Sequence, residues 1–259
     1  MSVLVFDIET VPDIETGQRL FGLEGLSAED IARAMGHIRQ QQSGSEFMPH
    51  HLHRIVAISI VLRTSAKFKV WSLGQEDSPE SELLERFYDG IQRLDPTLVS
   101  WNGSGFDLPV IHYRSLLHAV RAPRYWETGQ EDTSFRYNNY LGRFHWRHID
   151  LMDVLAGYQP RGFAPLDQVA SMLNFPGKMG MSGEKVWQAY LGGEIASIRN
   201  YCETDVLNTY LIYLRFELLR GHLDEISYHH ECELVRTSLE SLDKTHLNQF
   251  LSAWEEGEA

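Results

Sequence analysis

The stretch Ser2-Val3-Leu4-Val5-Phe6-Asp7-Ile8-Glu9-Thr10 decides how the rest of this chain is read. The apolar run Val3-Leu4-Val5-Phe6 sits directly before Asp7-Ile8-Glu9. A short run so rich in β-branched and aromatic residues predicts a buried strand. Side chains alternate along a strand, so Asp7 and Glu9 leave it on the same face. Two adjacent carboxylates where a strand ends repel each other, and a cation between them stabilises the pair. A divalent metal is the obvious candidate; the bland alternative is a solvated strand end, and a D-x-E alone does not decide. The chain carries its own control. Asp13-Ile14-Glu15-Thr16 repeats the same four letters, but it follows Val11-Pro12. Proline and turn chemistry there predict loop, which makes Asp13 and Glu15 decoys.

Composition narrows the classes. A chain of 259 residues with a 43% hydrophobic share is one large domain or one domain with extensions. Cys202 and Cys232, its 2 cysteines, make no disulfide framework and no metal-type spacing, which fits a reducing cytoplasm. No basic segment precedes the first apolar run, and Asp7 and Glu9 interrupt it, so it does not read as a signal peptide. The longest apolar stretch, residues 55–62, falls far short of the ~20 residues a membrane helix needs. A net charge of −13 argues against non-specific coating of nucleic acid, yet leaves room for an enzyme whose acids hold metal.

Outward from the first strand, residues 11–53 form an insertion, expected to be a lid or flap with little core of its own. Ser27 is the expected N-cap of a helix reaching about Gln40 within it, followed by a polar, flexible stretch to Ser45. His50, His51 and His53 lack a standard zinc-ligand spacing, so they read as surface residues leading into the next strand. Residues 54–63 predict a strand buried on both faces and residues 67–71 a shorter one, completing a meander. Ser78-Pro79-Glu80 predicts a helix start with Ser78 as cap, and Leu83, Leu84, Phe87 and Ile91 its apolar stripe. Residues 97–101 predict a further strand.

Asn102-Gly103-Ser104-Gly105-Phe106-Asp107-Leu108-Pro109 predicts a tight turn into a helix. Taken alone, Asp107 reads as an ordinary N-cap. Residues 121–147 interleave aromatic and basic side chains. Two readings stand: base stacking with phosphate contact on single-stranded nucleic acid, or a loop packing its aromatics onto the core. Residues 147–151 predict the last strand, 152–158 and 166–173 short helices, and 177–183 a loop carrying Lys178. Residues 194–220 are the clearest helix, ended by Gly221. In Tyr201-Cys202-Glu203-Thr204-Asp205, Tyr201 and Asp205 are four apart and share one helical face. The C-terminal stretch, residues 221–259, predicts charged helices packed on the same domain.

Three motifs in this order, each on its kind of element, resemble the DEDD superfamily of 3′–5′ exonucleases, in its tyrosine branch. They are Asp7-x-Glu9 on a strand, N-x-x-x-F-D ending in Asp107 at a turn, and Tyr201-x-x-x-Asp205 on a helix. Within the superfamily the chain is similar to bacterial proteins related to the exonuclease domain of family B DNA polymerases, over residues 1–220. The resemblance implies an α/β fold: a ribonuclease-H-like mixed sheet of about five strands with helices on both faces. It implies that Asp7, Glu9, Asp107 and Asp205 bind two divalent ions, Mg2+ or Mn2+, and that Tyr201 orients the attacking water. Two metals stabilise both the entering and the leaving oxygen of a phosphodiester, and such hard ions take oxygen ligands.

For the 3′-terminal nucleotide, the backbone around Thr10 with Asn102, Phe106 and Leu108 are the expected contacts, although Phe106 fits the core equally well. Asp150 is expected to cap the following helix rather than bind metal. No nucleotide cofactor and no membrane are expected, and no polymerase domain fits after residue 220. The expectation is a free-standing exonuclease on single-stranded 3′ ends, DNA rather than RNA. An RNA-trimming enzyme of the same mechanism, or a binding module with an idle site, are the alternatives.

Overall fold

The structure, a computed structural model, describes residues 2–258. Its centre is the opening stretch. Strand β1, Val3–Pro12, pairs antiparallel along its whole length with β2, His53–Arg63. β3, Phe68–Ser72, lies antiparallel outside β2. On the other side β4, Thr97–Ser100, runs parallel to β1, and β5, His148–Asp150, parallel to β4. The order of this 5-stranded sheet, β3-β2-β1-β4-β5, is the ribonuclease-H-like arrangement. The strand does not stop at Phe6 as the apolar run suggests. β2 supplies partners for Asp7, Ile8 and Glu9 (Ser59, Ile58 and Ala57), so both carboxylates sit inside a fully paired strand. A register shift follows between Glu9 and Thr10; such bulges re-aim side chains and are common beside functional sites.

The insertion folds as α1, Ile14–Phe21, and α2, Ala28–Ser43. The loop expected around Asp13 is a helix start. Asp13 caps α1, accepting from the Thr16 backbone N–H at 3.1 Å and from its hydroxyl at 2.7 Å. Ser27 caps α2 as its sequence predicts, but α2 runs past Gln40 to Ser43, taking in most of the stretch expected to be flexible. Ile31, Met35, Met48 and Leu52 are buried together here, with Ile14, Phe21 and Leu23 against them, so the insertion does have a small core. A Cβ on Gly17 would lie 2.2 Å from the Met35 sulfur, which is what lets α1 and α2 approach so closely.

Alternation sorts the β1 side chains. Leu4, Phe6 and Ile8 pack onto α3, Glu80–Leu94, and α4, Asp107–Leu117, through Leu83, Leu84, Phe87, Ile91, Val110 and Ile111. α3 begins one residue later than expected: Pro79 holds the cap position, and the Ser78 hydroxyl accepts instead from the Gln75 N–H at 2.8 Å. Short helices α5, Leu151–Leu155, and α6, Leu166–Met172, follow β5. α7, Gly183–Leu191, is absent from the sequence reading; Ser182 stands at its cap position but makes no side-chain cap bond, and the entry is rich in Gly and Met. Val5, on the opposite face of β1, packs with Val61, Val99 and Ile149 against α8, Ile195–Leu219. α9, Glu225–Leu242, and α10, Thr245–Glu258, close over α8 and bring Val235, Leu239, Phe250 and Trp254 into that same core. Asp7 and Glu9 continue the Val3–Val5 row, so strand parity turns both toward α8.

Candidate active site

Asp7 and Glu9 are held by a paired strand, which leaves their side chains little freedom of direction. Glu9 is 7% exposed and Asp7 half-buried. Asp107 reaches them from the next layer. It is the first residue of α4, but it does not cap that helix; the cap position is Phe106, with no side-chain bond. Its Oδ1 instead accepts the Ile8 backbone N–H at 3.1 Å, between the two β1 acids. The N-cap reading of Asp107 therefore fails, and the reason is tertiary: α4 starts against β1, at its bulged end.

The turn before Asp107 is built to deliver it. Asn102 adopts φ 63°, and its carbonyl accepts from the Gly105 and Phe106 N–H groups. Asp150, at the end of β5, accepts from the Asn102 and Ser104 N–H groups at 2.9 Å each, and caps α5 through Asp153. Asp150 thus caps its helix as expected and in addition clamps the turn, a role the sequence did not reveal. A Cβ on Gly103 would lie 2.3 Å from the Ser100 hydroxyl, so the turn can pass over β4 only with glycine there.

α8 supplies the rest. Tyr201 and Asp205, one turn apart, are both half-buried, and the Tyr201 hydroxyl hydrogen-bonds the Asp205 carboxylate. Between them in sequence, Cys202 is fully buried and donates its thiol to the Asp7 carboxylate at 3.5 Å and to the Asp7 carbonyl at 3.4 Å. Ligand atoms of Asp7, Glu9 and Cys202 all lie within 4.8 Å of one another. Sequence reasoning set Cys202 aside because it sits in no metal-type spacing. The one available clue was its place on the face that Tyr201 and Asp205 define.

Electrostatics ties the group together. Burial, then the charges of Asp107, Glu9 and Asp205, push Asp7 well above the usual carboxylate range, with the Cys202 thiol opposing. Burial, then Asp205 and Asp107, do the same to Glu9. Asp107 is raised by burial to about 7, against hydrogen bonds from its own N–H and that of Ile8. Asp205 is likewise raised by burial to about 7, opposed by the Tyr201 hydroxyl and the Lys178 charge. Burial and the same acids push Cys202 up, so it stays a thiol donor rather than a thiolate ligand. They also hold Tyr201 protonated. Carboxylates crowded this closely repel one another unless a cation is bound. Oxygen donors from β1, α4 and α8 suit a hard divalent ion such as Mg2+ or Mn2+.

The expected substrate contacts fall around this cluster. The Thr10 hydroxyl is 2.8 Å from His53 Nδ1, and His53 Nε2 is 3.1 Å from the Met48 carbonyl. Burial lowers His53 to about 4, so the ring is neutral at physiological pH. Nε2 must donate to the carbonyl, which leaves Nδ1 to accept from Thr10. His53, expected on the surface, is thus buried and tied to the β1 bulge. Phe106 is half-buried, while Leu108 is in the core. Asn102 and Leu108 border a groove of about 550 Å³ that also touches Trp126, Arg143 and Phe163.

Residues 121–147 divide between core and surface. Tyr125, Phe135 and Tyr140 are buried core, whereas Trp126, Tyr137, Phe144 and Trp146 are exposed. The arginines are largely engaged inside the protein: Arg124 pairs with Asp95 and Asp132, Arg143 with Asp153, and Arg147 stacks 3.6 Å over Phe135.

A five-stranded sheet of this order, with an acidic cluster fed from its central strand and two packed helices, places the chain among ribonuclease-H-like proteins. More closely, the chain belongs to the family described as predicted 3′–5′ exonucleases related to the exonuclease domain of PolB, whose model matches residues 45–254. That match begins after Asp7 and Glu9. The catalytic polypeptide of DNA polymerase epsilon from Saccharomyces cerevisiae is 25% identical over 150 residues, covering 54% of this chain and 6% of that protein. The family B DNA polymerase of the hyperthermophilic archaeon Pyrobaculum calidifontis is similar over 85% of this chain and 24% of its own, with a TM-score of 0.48 and 20% identity. The chain therefore spans only a small part of either polymerase.

Proposed function

We propose that this protein is a metal-dependent 3′–5′ exonuclease of the tyrosine branch. It hydrolyses the last phosphodiester of a single-stranded 3′ end, DNA in preference to RNA, and releases nucleoside 5′-monophosphates. The observation that carries this reading is the meeting of Asp7, Glu9, Asp107 and Asp205, from β1, α4 and α8, with the Tyr201 hydroxyl on Asp205. No structural need explains such a concentration of negative charge, which costs stability until a cation is bound.

Two divalent ions bound there would neutralise the attacking and leaving oxygens and make water nucleophilic at neutral pH. The chain's own groups do the rest. Asp7, at the centre of the cluster, would be shared between the two ions; Glu9 and Asp205 would hold the one on the water-activating side, and Asp107 the other. Tyr201 keeps its proton, directed at the Asp205 carboxylate, and its hydroxyl oxygen accepts a hydrogen bond from the water and holds it in line. Water attacks phosphorus, the P–O3′ bond breaks, and the 3′ oxygen takes up a proton to leave a shortened strand ending in a hydroxyl. Asn102, Phe106 and the backbone at Thr10 hold the terminal nucleotide.

The test is a 5′-labelled single-stranded oligonucleotide, DNA or RNA, with Mg2+, Mn2+ or EDTA. The expected result is a metal-dependent ladder that shortens from the 3′ end, faster on DNA. No ladder on either polymer in either metal would falsify the proposal.

A further inference from the structure

The insertion ends beside the acidic cluster with an exposed aromatic ring that its own fold does not require. Phe47 is 60% exposed, although its neighbour Met48 is buried in the insertion's core. Its backbone is fixed on both sides: Arg39 Nε donates to its carbonyl at 3.2 Å, and its N–H donates to the Ser45 hydroxyl at 3.1 Å. The ring is presented, not loose. It stands 5.6 Å from the Phe106 ring and 5.3 Å from the His53 ring, both tilted, while His50 lies 5.9 Å from Phe106. The His53 ring meets Phe106 edge-on at 5.0 Å. This aromatic group lies between the two sequence neighbours of the acids: Phe106 precedes Asp107, and His53 is hydrogen-bonded to Thr10, which follows Glu9.

We propose that Phe47 and Phe106 form a stacking platform for the base of the 3′-terminal nucleotide, and that the insertion exists to bring Phe47 to it. The inference rests on the exonuclease reading and adds a substrate-binding residue from outside its three motifs. Apolar rings offered face and edge at the rim of an acidic site match a nucleobase, which presents a π-face whatever its identity. They do not match a phosphate, which needs cations, and the net charge of −13 provides few to spare. Holding the terminal base fixes the phosphodiester behind it over the carboxylates, so the platform acts on affinity and on positioning together.

The experiment is a cycle that crosses protein and substrate changes. Binding of a 5′-fluorescein single-stranded DNA is measured by anisotropy in EDTA, with an intact or an abasic 3′-terminal nucleotide, to wild type and to Phe47→Ala. Wild type should bind the intact end about tenfold to a hundredfold more tightly than the abasic end, the worth of a stacked base. Phe47→Ala should lose most of that preference, and Phe47→Trp should keep it. Additive losses, or equal wild-type binding to both ends, overturn the platform. Thermal unfolding of Phe47→Ala should match wild type, since the exposed ring supports little of the core; a collapsed variant passes the test to Phe47→Leu, which keeps bulk without a π-face and should lose the base preference. The ladder assay separates the two readings. A wild type that makes no ladder overturns the exonuclease proposal, whereas a ladder with additive binding losses overturns the platform alone.

Discussion

At the scale of single residues, the acids pull stability and activity in opposite directions. Asp7 is crowded by Glu9, Asp107 and Asp205, and all four are disfavoured as anions in the metal-free protein. Asp7→Asn keeps the shape and removes one charge. In EDTA it should unfold at the same temperature as wild type or a few degrees higher, and the stabilisation that Mg2+ gives wild type should vanish. Its cleavage rate should fall by about a thousandfold or more, as when a group that stabilises transition-state charge is lost. A destabilised Asp7→Asn in EDTA would mean that the carboxylates are not in conflict. Tyr201→Phe removes only the hydroxyl on Asp205. It should slow single-turnover cleavage by about tenfold to a hundredfold, the scale of a misplaced reactant, with the Mg2+ dependence of the rate little changed. An unaltered rate would remove Tyr201 from the mechanism.

At the scale of elements, two carboxylates outside the cluster tie segments together. Asp150 accepts two N–H groups of the turn that delivers Asp107 and caps α5. Hydrogen bonds to a charged acceptor contribute about 1.5–3 kcal/mol each. Asp150→Ala should therefore lower the unfolding free energy by about 3–6 kcal/mol in urea titrations, and should depress cleavage through Asp107. Full activity in a destabilised Asp150→Ala would separate the turn from the site. Glu203 of α8 accepts from the Ser72 N–H at 2.9 Å and the His246 ring at 2.8 Å, with Lys244 at 3.3 Å, and so joins β3 and α10 to α8. Burial acts to raise Glu203, but His246, Lys244 and Ser72 outweigh it and hold the carboxyl down at about 2. A depressed carboxylate stabilises the fold above its unfolded value near 4.5, and that contribution drains away as pH falls toward about 2. Glu203→Gln should flatten this limb of the stability–pH curve; an unchanged acid limb would assign it to other groups.

At the scale of the whole molecule, the C-terminal helices are part of the core rather than an appendage. Trp254 is 1% exposed and Phe250 fully buried, in the same cluster as Val5 of β1 and Leu207 of α8. Trp254→Ala should cost about 3–5 kcal/mol, typical of emptying a buried aromatic site. A chain cut after residue 220 should be aggregation-prone, because it uncovers the apolar face of α8. Its recovery as a stable, active monomer would show that α9 and α10 are dispensable. No helix among the described residues is long and apolar enough to cross a membrane. The buried ion network of Arg114 with Asp13 and Glu80 joins the insertion, α3 and α4, and Glu80 also accepts the Ile55 N–H of β2 at 2.7 Å. Asp13, a decoy as a metal ligand, is thus a structural link between layers.

Periodicity and order along the chain were enough to place the sheet, the long helix of Tyr201 and Asp205, and the shared face of Asp7 and Glu9. These depend on alternation every two or 3.6 residues, which a sequence carries by itself. Partners distant in sequence were not legible. Whether Asp107 caps its own helix or turns to the Ile8 N–H depends on where α4 docks on β1, and both answers share one local sequence. The same holds for the pairing of Asp13 with Arg114, whereas the α1 cap from Asp13 to Thr16 and the Ser182 cap position of α7 were local signals that the reading passed over. Cys202 was set aside and Phe47 drew no reading, because their partners, Asp7 and Phe106, lie far away in the chain. The sequence by itself determined the strand, the parity that aims Asp7 and Glu9 at one face, and the helical spacing of Tyr201 and Asp205. Only the tertiary structure decided which distant groups meet there, because docking, burial and mutual repulsion arise between elements and leave no period in the chain.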